Sequence, residues 1–197
     1  MLRLSCVVAL CMPGAGALGQ VAFDTFNGSP LPSTYWLGGG SQFPTRLAWR
    51  FTAATGGEVA SVTLAAYRIA GSTTPATVVL YAANGTQVGA SLGSASVALP
   101  FGQFSAPVTA AVSGITLAPG QDYFLSLQLP QFAEARWQLY GPPQLPGPQA
   151  AWIGAGPWTY FDHPQAYYPA FRVTVPGPGT LALGVGVLGV VGRRRRS

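Results

Sequence analysis

The single histidine of this 197-residue chain, His163, follows Asp162 in Tyr160-Phe161-Asp162-His163-Pro164. A histidine beside a carboxylate raises the question of a hydrolytic triad. That chemistry needs a nucleophile, a base and an orienting acid converging in space. No Gly-x-Ser-x-Gly elbow is present. Adjacent residues of an extended chain also point to opposite faces, so Asp162-His163 reads as a loop before a turn proline. Glu58 and Glu134 are candidates for a paired-carboxylate glycosidase site, but nothing around them predicts that they meet. One histidine and five scattered acids predict no zinc or Asp-rich calcium loop. The expectation is therefore no catalytic residues, no cofactor and no metal site built from side chains, with a structural calcium on backbone carbonyls left open.

The aromatics offer a different chemistry. Trp137, Tyr140, Trp152, Trp158, Tyr160, Phe161, Tyr167 and Tyr168 fall in the last third of the chain. Flat rings stack on the C–H faces of sugars, so an exposed group of them holds polysaccharide. Trp137 alternates with Leu139 and is expected in the core. Trp158, Tyr167 and Tyr168 lie near Gly and Pro, where surface loops are expected, and Tyr160 stands close to them in the chain. They are the candidate glycan contacts.

The elements that carry these residues read as strands. Leu47, Trp49 and Phe51 alternate with Ala48, Arg50 and Thr52; Val62 and Leu64 with Ser61 and Thr63; Tyr123, Leu125, Leu127 and Leu129 with Phe124, Ser126 and Gln128. Val78 and Leu80 lead to a hairpin-type Asn84-Gly85, and Phe171, Val173 and Val175 close the series. Period two with one apolar face predicts antiparallel sheets, each with one buried side. Five Trp, eight Tyr and ten Phe argue against disorder despite 26 Gly and 18 Pro. The expected class is all-β: a single antiparallel β-sandwich of the jelly-roll kind over residues 20–174, with its flanks serving other purposes.

Those flanks have processing chemistry. Met1-Leu2-Arg3, the apolar Leu4–Met12 and the small Ala15-Gly16-Ala17 and Ala17-Leu18-Gly19 predict a secretory signal peptide over residues 1–19. Signal peptidase is then a partner, and the mature chain begins at Leu18 or Gln20. A lipoprotein signal is the competing reading, because Cys6 and Cys11 lie here, but the bulky Leu10 before Cys11 fits it badly. These are the only cysteines, so the mature chain has no disulfide. At the other end, residues 175–197 run Val175-Pro176-Gly177-Pro178-Gly179-Thr180, an apolar Leu181–Gly192, then Arg193, Arg194, Arg195 and Arg196. Thr180–Gly192 is thirteen residues, about 20 Å as a helix, against about 30 Å of bilayer core. So short and glycine-rich a run suits a temporary transmembrane helix better than a permanent anchor. The arginines keep to the cytoplasmic side and set the topology.

Both ends distort the overall charge of +5. Between Gln20 and Gly179, Arg46, Arg50, Arg68, Arg136 and Arg172 balance Asp24, Glu58, Asp122, Glu134 and Asp162. The basic character belongs to the processing segments, so no nucleic-acid partner is expected.

The order Pro-x-Pro, apolar stretch, basic terminus resembles the PEP-CTERM sorting signal of Gram-negative bacteria, with Gly177 where that family has glutamate. The resemblance implies that an exosortase, a membrane enzyme, processes the chain at Val175, Pro176, Gly177, Pro178 and Thr180. It implies an inner-membrane intermediate and then the cell surface or extracellular matrix, in company with exopolysaccharide. A second stretch, from about Phe43 to Leu129, resembles the choice-of-anchor type of bacterial surface domain. It is carried by Arg50-Phe51-Thr52, Ser61-Val62-Thr63-Leu64, Val78-Val79-Leu80-Tyr81, Asn84-Gly85, Gly89 and Gly114–Leu125. That resemblance implies a β-sandwich module without an enzymatic role. Two functions follow as expectations: a non-enzymatic exported surface or matrix protein, or a carbohydrate-binding module built on the late aromatics.

Overall fold

The computed structural model describes residues 19–26, 29–38, 46–71, 73–102, 107–141, 149–152, 157–161 and 168–177. Residues Gly19–Pro176 form one compact unit. Its described residues are all-β, with no helix. In chain order the strands are β1 (Gln20–Asp24), β2 (Ser29–Gly38), β3 (Arg46–Thr52), β4 (Gly57–Glu58), β5 (Ser61–Leu64), β6 (Ala66–Ala70), β7 (Ala76–Asn84) and β8 (Gln87–Val97). There follow β9 (Val108–Ala111), β10 (Thr116–Leu117), β11 (Asp122–Gln128), β12 (Glu134–Gly141), β13 (Gln149–Trp152), β14 (Thr159–Phe161), β15 (Tyr168–Pro169) and β16 (Phe171–Val175).

The strands pair antiparallel into several sheets. One has the order β1-β16-β5-β9, a second the order β14-β13-β3-β11-β7-β8, and a third joins β15, β12 and β2, with β6 also on β12. Strands β4 and β10 make a small separate pair. The first and last strands lie side by side, Gln20 opposite Val175 and Asp24 opposite Arg172. Both Nε and Nη2 of Arg172 donate to the Asp24 carboxylate, at 3.0 and 2.8 Å.

Three strand segments meet at a junction. β5 continues into β6 through Ala65, and β15 into β16 through Ala170. The Gln138 amide donates to the Ala65 carbonyl at 2.8 Å, Ala65 to Ala170 at 3.0 Å, and Ala170 back to Gln138 at 2.7 Å. Each backbone N–H and C=O in this crossing finds its partner in a different strand, which satisfies buried polar groups where two sheets separate. Trp137 closes the junction: fully buried, it donates Nε1–H to the Ala170 carbonyl at 3.0 Å.

One core draws on all three larger sheets. It includes Trp49 and Phe51 of β3, Val62 and Leu64 of β5, Val78 and Leu80 of β7, Tyr123, Leu125 and Leu127 of β11, Trp137 of β12, and Phe171, Val173 and Val175 of β16. These are the alternating positions of the sequence, all within 8% of complete burial. The hairpin after β7 also forms where Asn84-Gly85 predicts it, with Asn84 opposite Gln87 and Gly85 at φ 61°.

The six-stranded sheet departs from the one-sided pattern. Ala48, Phe124 and Ser126, on the face opposite the core, are fully buried. Trp158, Tyr81, Ala83 and Val88 pack against Ala48 and Phe124. Six strands in a flat sheet would put the edges about 24 Å apart. Yet the Val88 amide of edge strand β8 donates to Tyr160 Oη of edge strand β14 at 2.9 Å. The sheet therefore curls until its edges meet. Small Ala48 and Ser126, paired across β3 and β11, leave room for that curvature. Polar alternation in β11 marks a face that the curl covers, not one that water reaches.

Candidate functional site

The glycan candidates separate in the structure. Trp158 is half-buried, its ring 5.9 Å from Tyr81 in an edge-to-face contact. Tyr160 belongs to strand β14; it keeps 36% exposure while its hydroxyl accepts from Val88. These two fasten the curled sheet. Tyr168 enters β15, its backbone paired with Tyr140. Tyr167 lies outside the described residues, as do Asp162 and His163.

The motif that opens the tail begins inside the fold. Val175 ends β16, is fully buried, and packs its Cβ 3.4 Å from where a side chain on Gly57 would start. Pro176 is exposed. Pro178, Thr180 and Arg193, Arg194, Arg195 and Arg196 lie outside the described residues.

Glu58 and Glu134 do not share a site. Glu58 accepts from the Gly114 amide at 2.9 Å in the β4–β10 region, whereas Glu134 starts β12 opposite Gly38 and Ala70. Among the described residues no group of three metal-ligating side chains forms. Asp122 is tied to Thr52 and Arg50 across the β3–β11 ladder. The Thr52 hydroxyl holds its carboxyl below the usual aspartate range; burial opposes this, and the Arg50 guanidinium adds to the lowering. This is a strand-end clamp.

Other aromatics are exposed outside the predicted set. Trp36, Phe101 and Phe132 are 36%, 71% and 81% exposed, and all three attach to the ladder of β2, β12 and β6. Arg136 of β12 stands opposite Trp36 of β2 and Tyr67 of β6. Its guanidinium carbon lies 4.2 Å from the centre of the Trp36 ring, and Nη1 donates to Thr34 Oγ1 at 3.1 Å. Arg68 lies over the Phe101 ring at 5.6 Å. Phe132, at φ 64°, tops the turn that leads into β12. A bulky residue in the left-handed region is costly. Gly38 and Gly71 make room for its turn: a Cβ on either would stand 1.9 Å from a carbonyl oxygen of Ala133 or Phe132.

Sequence reasoning missed this group because Trp36, Arg68, Phe101 and Arg136 are far apart in the chain. The one local signal is the pair of glycines, and it speaks only of tight turns. No family model matches the chain, and no curated protein matches it. Among the described residues, no helix is long and apolar enough to cross a membrane.

Proposed function

We propose that the chain is a non-enzymatic surface or extracellular-matrix protein, exported through a cleaved signal peptide and sorted by an exosortase-type enzyme acting on a PEP-CTERM-like tail. The observation that carries this reading is the order of the tail: Pro176 and Pro178, the apolar Leu181–Gly192, then Arg193 to Arg196. Proline biases its neighbourhood to extended backbone, which a processing enzyme can take. The position of the last strand supports it, because β16 stops at Val175 and the exposed Pro176 follows directly. The sheets belong, in this reading, to a single sandwich of the jelly-roll kind, like the choice-of-anchor modules. The core shared by β1, β3, β5, β7, β11, β12 and β16 supports that arrangement. The protein passes through an inner-membrane intermediate and ends at the surface of a Gram-negative cell, in association with exopolysaccharide.

The test is fractionation and immunoblotting of tail variants in a host with an exosortase. Exchanging Pro176 and Pro178 for alanine leaves insertion intact and lets uncut protein accumulate in the inner membrane. Serine at positions 193–196 weakens retention there. Mass spectrometry of surface material finds a start at Leu18 or Gln20. Wild-type protein that is never shortened at its C-terminus refutes the sorting reading in favour of a plain membrane anchor.

A second reading, carbohydrate binding, draws support from the exposed Trp36, with the Arg136 guanidinium stacked on its ring.

A further inference from the structure

We infer that Trp36, Arg136 and Thr34 form a subsite for a carboxylated sugar unit of an acidic polysaccharide. The inference rests on the matrix-protein reading and adds the charge of the ligand and the residues that read it.

Register puts the three side chains together. Thr34 and Trp36 are two residues apart on β2, and Arg136 lies directly opposite Trp36 on β12. Residues two apart share a face of a strand. The other face of the same ladder carries Leu37, Ala135 and Trp137, all fully buried. Trp36 and Arg136 thus stand on the face turned away from the core.

The guanidinium is held at two points, by the Trp36 ring at 4.2 Å and by Thr34 Oγ1 at 3.1 Å. A cation so placed is pre-organised, which lowers the ordering cost of binding. Guanidinium carries five N–H donors, and Thr34 takes one. Arg50 and Arg172 each have a carboxylate, Asp122 and Asp24. Among the described residues Arg136 has none. Glu134, two positions along the same face, makes no ion pair with it. The remaining fork matches a carboxylate, which it binds through parallel, charge-assisted hydrogen bonds.

The aromatic partner selects the rest of the ligand. A pyranose offers an apolar C–H face to an indole and, in a uronic acid, a carboxylate at the ring's edge. A flat ring beside a fixed fork fits those two features at once. A simple anion would use only the fork. A peptide carboxylate would use the fork and add its backbone to β2, the end strand of this ladder, and would leave the flat Trp36 ring beside the fork unused. An anionic lipid surface would use the fork alone, since Phe101 attaches to Arg68, which stands opposite Ala135 and not Arg136; the stacked, strand-borne Trp36 favours the sugar.

The experiment is affinity electrophoresis of the full chain in mild detergent, through gels holding sodium alginate (a polyuronate) or neutral dextran. Serine replaces Arg193 to Arg196 throughout, because a polybasic tail retards on any polyanion. Alginate should slow the protein and dextran should not, and added salt should weaken the effect. Arg136→Gln and Trp36→Ala should each weaken the apparent affinity about tenfold. Arg136→Lys should keep only part of it, having charge without the fork. Tyr160→Phe should bind as the parent does. Unchanged circular dichroism shows that each variant is folded. The inference is overturned if alginate does not retard the parent, if Arg136→Gln or Arg136→Lys binds as the parent, or if, in a parallel sedimentation assay, anionic-lipid vesicles bind the parent while alginate does not. Those failures would leave the fractionation result standing. Conversely, an unprocessed tail would refute the sorting reading while alginate binding persisted.

Discussion

Replacing Gly71 by alanine should destabilise the protein far more than the same change at Gly85, although both glycines have positive φ, 86° and 61°. The backbone penalty is shared: alanine in the left-handed region costs about 1–2 kcal/mol. Gly85, at the tip of the β7–β8 hairpin, has nothing within 4 Å of its added Cβ, so its cost ends there. At Gly71 the Cβ would stand 1.9 Å from Phe132 O and 2.7 Å from Ala133 Cα. Ordinary contact begins near 3.4 Å, so backbone must move by roughly 1.5 Å. The atoms in the way are main chain, and no rotamer change relieves them. Moving them disturbs the Ala133 amide's bond to Pro130 O and the start of β12 opposite Gly38 and Ala70. The total should reach about 4 kcal/mol or more, a large share of the about 5–15 kcal/mol that holds a domain together. Urea unfolding followed by tryptophan fluorescence measures both variants. A Gly71→Ala cost within about 1 kcal/mol of Gly85→Ala would refute the close approach and, with it, the turn that leads β12 towards Arg136.

The same titrations check four smaller effects. Leu127→Ala empties a fully buried site and should cost about 2–5 kcal/mol. Phe132→Asn, which tolerates φ 64° better and gives up little burial, should gain up to about 1 kcal/mol. Tyr160→Phe removes the acceptor for Val88 N–H at the seam of the curled sheet; it should cost about 0.5–1.5 kcal/mol and speed proteolysis within the β7–β8 hairpin. Asp122 has its pKa lowered on folding, so its stabilising contribution is complete above the unfolded value of about 3.9 and drains away as pH falls through the folded one. The gap between wild type and Asp122→Asn should be constant above about pH 5 and shrink below about pH 4; a gap that widens on acidification would contradict the clamp.

Some of this was legible in the chain. Alternation at Leu47–Phe51, Val62–Leu64, Val78–Leu80, Tyr123–Leu127 and Phe171–Val175 names the core face of each strand, because side chains of an extended backbone point up and down in turn. Asn84-Gly85 names its own turn, because few residue pairs accept that backbone. Trp137 could be assigned to the core from its neighbour Leu139 alone.

Tertiary structure decided what depends on partners. Phe124 and Ser126 look like an outer face until the six-stranded sheet curls over them. Trp158 and Tyr160 look like free surface aromatics until they meet Tyr81 and Val88 from the opposite side of that curl. Trp36 and Arg136, a hundred positions apart, become neighbours only through the register of β2 on β12. A slip of one residue would turn Arg136 into the core and Trp137 out of it. Local sequence sets which way a side chain points from its own strand. Which side chain it meets is set by the pairing of strands distant in sequence, and a binding site is made of such meetings.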